Sequence, residues 1–434
     1  MDERSVLEHD GDDDAHFLSR TLVFVCLCVC MIDEFIRLVG WCEADDIDDS
    51  ERARLKEEGK QLKEQIALLE QQLEQTQADL QNEALQIPND THPDVPVGDE
   101  DSSAAVLSEF GSQPSFPFTP KDHTELSDTV GLADFDAGSR VSGTKFVYLQ
   151  GYGAMLEMAL INFAFTRAVQ RGFAPYMTPD MVRRQVVEKC GFNPRGESSQ
   201  VYNIEDHDLS MAGTAEIPLG GLHEDRIINE SQLPLRMVAF GHCFRTESGA
   251  SGAATRGLYR LHQFSKVELF VICTPEQSEQ MHEELLKLEE DLFRNLDLHF
   301  RTIDMPTGDL GAPAYRKYDI EASMPGMDRY GEISSATNCT DFQSRRLNTR
   351  FRRQPSPGKK KGKPEYVHTL NATALAVPRT IIAIAEQKQN ADGSINVPEV
   401  LQPYMGGVRV LQPPTEQGSG NRGSIKHEEE TVRA

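Results

Sequence analysis

The densest chemical pattern in the chain runs from Phe244-Arg245-Thr246-Glu247, through a glycine-, alanine- and serine-rich stretch at 248–257, to Leu261-His262-Gln263-Phe264-Ser265-Lys266-Val267-Glu268. An arginine leaves one apolar segment, a flexible loop follows, and a second apolar segment returns with a glutamate. A planar guanidinium grips a phosphate through two parallel hydrogen bonds, which an ammonium cannot do in plane. Glu247 suits an adenine amine or an RNA terminus, and Phe264 suits the face of a purine. An FRxE run alone carries little information; followed by Thr255-Arg256-Gly257-Leu258 and His262-Gln263-Phe264, it is highly specific.

This arrangement resembles motif 2 of the class II aminoacyl-tRNA synthetases, in the form carried by seryl-tRNA synthetases. Other stretches resemble the same family in the same order. Gly213-Thr214-Ala215-Glu216-Ile217-Pro218-Leu219 looks like its serine-binding loop. Gly331-Glu332-Ile333-Ser334-Ser335, followed by Asn338-Cys339-Thr340-Asp341-Phe342-Gln343, looks like its ATP-binding strand. Leu370-Asn371-Ala372-Thr373-Ala374-Leu375-Ala376-Val377-Pro378-Arg379 looks like motif 3, and the helical stretch at 154–179 with its trailing proline looks like motif 1, the dimer element. The resemblance covers about 270 residues of catalytic domain and the helix before it.

The resemblance implies an enzyme that joins ATP and L-serine into seryl-adenylate and transfers serine to the 3′ end of tRNA(Ser), with tRNA(Sec) as a further substrate. Such activation is an in-line attack of a carboxylate on the α-phosphate, and it needs positioning and charge neutralisation more than a covalent catalyst. Arg245 and Arg379 are the implied catalytic residues, on the α-phosphate and γ-phosphate. The ATP site is implied to take in Arg245, Thr246, Glu247, Leu261, His262, Gln263, Phe264, Glu332, Ile333, Ser334, Ser335 and Arg379. Glu332 and Ser335 are expected to hold Mg²⁺, which prefers few protein oxygens plus phosphates. The serine site is implied to be Thr214, Ala215, Glu216, Arg245, Glu268, Asn371 and Thr373. Its polar side chains suit an ammonium and a hydroxyl, and a pocket built to bond a hydroxyl rejects alanine by leaving buried groups unpaired.

The elements that must position these residues follow from periodicity. Leu55, Leu62, Ile66, Leu69, Leu73, Thr76 and Leu80 fall on alternating spacings of 3 and 4, with Gly59 at the one skipped position, a heptad seam on a helix over 51–87. Such a helix, ~50 Å long, needs a partner along its apolar seam. It is expected to be a tRNA-binding arm, one half of an antiparallel hairpin, although 1–50 supplies no matching heptad partner. Residues 88–136, rich in Pro, Asp and Ser, read as a connector. From 137 to 411 the pattern predicts an α+β catalytic domain: a class II antiparallel sheet with helices to one side. Within it, helices are expected at 154–170, 275–298 and 374–389, and a hairpin from 235–244 and 263–271. Residues 1–50 read as an atypical acidic leader and 412–434 as a disordered tail.

Composition narrows the alternatives. The formal net charge is −25, but 1–50 carry 14 acidic and 3 basic side chains, and 90–136 carry 11 acidic ones against one lysine. A locally basic surface for RNA elsewhere remains compatible with that total. The basic run from Arg345 to Lys363 reads either as a tRNA acceptor-stem surface or as a solvated loop. No apolar run reaches the ~18 residues of a membrane span, so no membrane partner is expected. The eight cysteines show neither a disulfide framework nor a zinc spacing, and His223, His242 and His262 read as structural rather than metal-binding. Localisation is expected in the cytoplasm or in a mitochondrion or plastid. The Ala372-Thr373 and Val377-Pro378 variants of motif 3 resemble organellar forms, whereas the acidic start is the opposite of a transit peptide. A homodimer is expected. The rivals are another class II synthetase, threonyl or prolyl, and a non-catalytic paralogue binding RNA or a protein partner. Against the last, Arg245, Glu268, Glu332, Asn371 and Arg379 are all present.

Overall fold

A computed structural model describes residues 48–192, 200–247, 256–354 and 362–413. Most of the acidic leader and of the tail, the loop at 248–255 and the lysines at 359–361 lie outside the described residues. The chain divides into two units, Met1–Ile87 and Pro88–Ala434.

The first unit contributes one long helix, α1 (Asp49–Gln86, 38 residues). Asp48 caps it, its carboxylate accepting from the amides of Ser50 and Glu51 at 2.9 Å each. It ends where Ile87, preceding Pro88, is driven into extended backbone. Leu55 and Leu62 are buried, and Gly59, Ile66, Leu69, Leu73, Thr76 and Leu80 are half-buried along the seam. At 1.5 Å per residue the helix is about 57 Å long.

The second unit is built on an eight-stranded sheet. Its strands, numbered in chain order, are β1 (Ala105–Phe110), β2 (Ala174–Met177), β3 (Leu235–Phe244), β4 (Gln263–Cys273), β5 (Phe300–Asp304), β6 (Arg316–Met324), β7 (Arg329–Asn338) and β8 (His368–Ala376). They lie in the order β1-β5-β6-β7-β8-β4-β3-β2. Every pairing is antiparallel except β2 on β3, which is parallel. Helices α2 (His123–Val130), α3 (Tyr152–Gln170), α4 (Glu216–Gly221), α5 (Ser278–Asn295) and α6 (Val377–Gln387) surround it.

Strand alternation sorts the side chains. On β4, Val267, Leu269, Val271 and Cys273 join the core made with α3, α5 and α6, where Phe163, Phe293 and Ile381 are fully enclosed. Each such apolar side chain contributes roughly 1.5–3 kcal/mol by leaving water. The alternate positions, Lys266, Glu268, Phe270 and Ile272, face the opposite side. There Phe270 and Ile272 pack with Ala215, Leu219 and Phe351 in a smaller core. The apolar half of that side supports the polar half.

Two expectations need correction. The stretch 88–136, read as a connector, supplies sheet strand β1 and helix α2 and is pinned along its length. Asn89 donates to the carbonyls of Pro313 and Cys339 at 3.0 and 2.9 Å, and the His92 amide donates to Tyr315 O at 2.9 Å. β1 is an edge strand with five of its six side chains exposed, so it pairs through its backbone and leaves no apolar alternation to read. The helix expected over 374–389 begins only at Val377, because Ala374–Ala376 complete β8. The strand bulges between Thr373 and Leu375 against β4, and Pro378 in the first helical turn fixes where the helix starts.

Candidate active site

Arg245 follows the end of β3, and its amide donates to His262 O at 2.9 Å, closing the expected hairpin. Its guanidinium donates from Nε to Gly213 O at 3.3 Å and lies 5.3 Å from the Phe264 ring centroid. The arginine is thereby held between the 213–219 loop and the returning strand. His262 Nδ1 lies 2.9 Å from both the Tyr202 hydroxyl and Arg245 O, which ties the hairpin base to a third segment. Glu247 sits at φ 48 and pairs with Arg260 at 2.9 Å, so a non-glycine residue holds a strained turn at the loop's start. Leu261 is buried in the core, and Gln263 lies at the exposed start of β4.

A cluster of buried polar side chains lies beside Arg245. Glu216 is 5% exposed, and its Oε1 accepts from Gln343 Nε2 at 2.5 Å and from Asn371 Nδ2 at 2.9 Å. Burial, reinforced by nearby Glu268, pushes the Glu216 carboxyl up to about 7, against the pull of Gln343, Lys266 and Arg245. Glu268, 1% exposed, is raised by burial as well, opposed by its ion pair with Lys266, by Arg245 and by the Thr214 hydroxyl. Thr373 stands opposite Glu268 across the β8–β4 pair, and its hydroxyl accepts from Lys266 Nζ at 3.3 Å. Ala215 caps α4 and is buried in the smaller core, so its side chain only supports the cluster.

At the other end lies Arg379, in the first turn of α6. It donates from Nη1 to the Glu332 carboxylate at 2.8 Å and to Glu332 O at 3.0 Å, and from Nε to Tyr259 O at 3.2 Å. Two guanidiniums lie over the Tyr259 ring, Arg379 at 4.6 Å and Arg329 at 4.2 Å from its centroid. Burial opposes the charge of Glu332, but Arg379 and Lys317 overcome it and hold its carboxyl at about 2. Glu332 and Ser335 are three residues apart and would face opposite ways on a regular strand. β7 bulges there: Glu332 pairs with Glu321 while Ser334 pairs with Ile320. The extra residue brings Glu332 and Ser335 to the same face, both half-buried. Ile333 and Ser334, expected at ATP, are each 1% exposed; Ile333 joins the large core and the Ser334 hydroxyl donates to Thr373 O. Their side chains are thus committed away from the site, and only their backbone remains for a ligand.

A model of the class II core domain of tRNA synthetases (G, H, P, S and T) matches residues 200–388. The serine–tRNA ligase of Rubrobacter xylanophilus is 48% identical over 363 residues, 84% of each chain. That of Treponema denticola is 47% identical over 366 residues, covering 84% of this chain and 85% of the relative. The chain belongs to the seryl-tRNA synthetases. The solved seryl-tRNA synthetase of Pyrococcus horikoshii, complexed with ATP, matches 93% of this chain and 95% of its own at 34% identity, with a TM-score of 0.76. The cytoplasmic serine–tRNA ligase of Naegleria fowleri, in complex with AMP, matches 92% of each chain at 28% identity, with a TM-score of 0.72. The antiparallel class II core and the long N-terminal helix expected from the sequence are therefore those of this synthetase family.

As a member of that family, the chain carries further groups at the site that its motifs alone did not single out. Lys266 neutralises Glu268 from two residues away on the same strand face, a spacing visible in the sequence. Gln343 is fully buried, donates to Glu216 and Cys190 O, and accepts from Thr369, so it fixes Glu216 from behind. Lys317 and Asp319, 2.9 Å apart on β6, stand across from Thr337 and Ser335. Burial raises Asp319 to about 8 against the pull of Lys317. Tyr259 left no signal in the sequence. The arginines of the basic run are largely engaged within the chain: Arg345 pairs with Asp341 at 2.7 Å, and Arg353 pairs with Glu230, Glu276 and Glu365. Among the described residues there is no His/Cys/Asp/Glu cluster fit for a metal, and the four described cysteines are free and buried.

Proposed function

We propose that the chain activates L-serine with ATP at this site and then passes serine to the 3′ end of tRNA(Ser). One observation carries the reading: the Arg245 guanidinium is held between Gly213 O, at the head of the loop that bears Thr214 and Glu216, and the Phe264 ring on the strand that bears Glu268. It therefore lies where a carboxylate from the pocket and a phosphate from the nucleotide end must meet. Glu216, whose Oε1 is taken by two side-chain amides, offers its other oxygen to the serine ammonium. Thr214, Glu268 and Asn371 supply bonds for the ammonium and hydroxyl. Arg245 aligns the serine carboxylate with the α-phosphate and neutralises the charge that develops there. Arg379 leaves Glu332 for the γ-phosphate. Phe264 stacks on adenine, with Glu247 bonding its amine.

Glu332 and Ser335 present two oxygens on one face, half-exposed, which fits Mg²⁺ with its preference for few protein ligands. The ion would supply charge neutralisation on the phosphates. A homodimer is supported by the edge strand β2, all four residues of which are exposed, Met177 at 75%, and by Met158 on α3 at 59%. α1 suits a tRNA arm. No described helix is long and apolar enough to cross a membrane, and placement in an organelle or in the cytoplasm follows the motif variants noted above.

The test is ATP–pyrophosphate exchange on the purified chain. Exchange with serine, and none with threonine or proline, is the expected result. A folded chain without exchange would overturn the reading in favour of a non-catalytic paralogue.

A further inference from the structure

We propose that His123, at the start of α2, is a positioning residue for the nucleotide end of the site. The inference rests on the reading of Arg379 as a phosphate-binding residue. His123 is 1% exposed, and its Nε2 accepts from the Leu258 amide at 3.1 Å. With Nε2 accepting, the ring proton sits on Nδ1, which lies 3.2 Å from Glu386 Oε1 and donates to it. Glu386, fully buried near the end of α6, also accepts from the amides of His123, Gly326 and Met327 at 3.0, 2.9 and 3.2 Å. Four donors converge on one carboxylate, so its position is over-determined.

The ring thereby joins two elements of the site. Arg379 and Glu386 belong to the same helix, seven residues or about 10 Å apart. At the Glu386 end, His123 fastens the helix to Leu258. At the Arg379 end, the next residue, Tyr259, receives the arginine through its carbonyl and its ring. The segment Leu258–Tyr259 is thus clamped to α6 at both ends, and the clamp sets where the Arg379 guanidinium rests. Gly257 is part of the same fit: it sits at φ +66, and a Cβ there would come within 2.2 Å of His123 Nε2. Asp122, beside His123, holds Arg256 in an ion pair, which fixes the backbone on the other flank of Gly257. None of these groups touches the serine pocket.

Two substitutions separate the halves of the clamp. In His123→Asn the side-chain amide donates to Glu386 but offers nothing to Leu258. In His123→Gln the amide oxygen reaches the place of Nε2 and accepts from Leu258. In serine-dependent pyrophosphate exchange on the full chain, His123→Asn should raise the KM for ATP about tenfold and leave the KM for serine unchanged, and His123→Gln should recover most of the loss. An unchanged KM for ATP in folded His123→Asn, an equal rise in both KM values, or no recovery in His123→Gln would overturn the proposal. Hydrogen exchange on the unaltered chain gives a check that needs no variant. The Leu258 amide should be strongly protected, and exchange at the rate of an open amide would equally overturn the proposal. Arg379→Ala separates the two readings. If it leaves the KM for ATP unchanged, the phosphate reading fails and this inference with it. If it raises that KM while His123→Asn does not, this inference alone fails.

Discussion

The two ends of the site treat the same kind of side chain in opposite ways. At the amino-acid end, Glu216 is almost wholly enclosed, meets a second glutamate, and is pushed up to about 7. At the nucleotide end, Glu332 keeps 37% of its side chain exposed, meets Arg379 and Lys317, and is held at about 2. A carboxyl buried without enough positive charge gains from an arriving cation. A carboxylate already paired with an arginine gains nothing until that arginine is drawn elsewhere. On the proposed assignment, the end around Glu216 awaits the serine ammonium, and the end around Glu332 is latched until phosphate oxygens compete for Arg379.

On the proposed assignment Arg245 serves both ends, so removing it should have the largest effect. Arg245→Ala is expected to lower serine-dependent pyrophosphate exchange by about 10³-fold, with folding unchanged by circular dichroism. Loss confined to the KM of one substrate would break the symmetry argued here. Arg379→Ala should cost about 10²-fold in kcat/KM for ATP and little for serine. It should also free Glu332, so the pH dependence of ATP use in that variant should shift toward an ordinary carboxyl.

Glu216→Gln should raise the KM for serine about 30-fold and leave ATP binding alone. In the unaltered chain that KM should fall as pH rises from 6 to 8, because the carboxylate that binds the ammonium forms as Glu216 ionises near 7. The stability effect has the opposite sign. Glu216 binds its proton more tightly folded than unfolded, so its contribution to ligand-free stability is full below about 4.5 and is lost as pH rises toward 7. Thermal unfolding without ligand should show this loss, and Glu216→Gln should abolish it. The smallest expected effect is on Ser335→Ala, where the Mg²⁺ concentration for half-maximal exchange should rise about threefold. No change would remove Ser335 from the proposed ligand pair.

The chemistry was legible where it depends on residue type at fixed offsets. Arg245, Glu268, Glu216, Asn371 and Arg379 were picked out through the resemblance of their motifs, and the structure joins Asn371 to Glu216 and holds Arg245 against the 213–219 loop. The pairing of Glu332 with Ser335 could be proposed only from resemblance, since its geometric reason is a bulge opposite Ile320 and Glu321 that strand alternation does not announce. Lys317 and Asp319 depend on β6 lying beside β7 in one register, information held in backbone pairing. His123 stood in an acidic, proline-rich stretch that looked like a spacer, and its partners lie 135 and 263 residues away. The heptad seam of α1 was plain because its period is local, whereas β1 was invisible because its exposed side chains carry no period.

The tethering of 88–136 to the body has a consequence for how the chain is made. Asn89 leaves the ribosome early, yet the groups it bonds, Pro313 O and Cys339 O, lie 224 and 250 residues downstream. β1 likewise waits for β5, two strands whose paired residues include Ala105 and Asp304. At roughly 5–20 residues per second, that interval is about 10–50 s of synthesis. Throughout it, the stretch 88–136 exists without the sheet edge to which it will be fastened. The catalytic body can close only after nearly the whole chain has emerged, so a nascent chain stalled before residue 300 should remain open to proteolysis along 88–136.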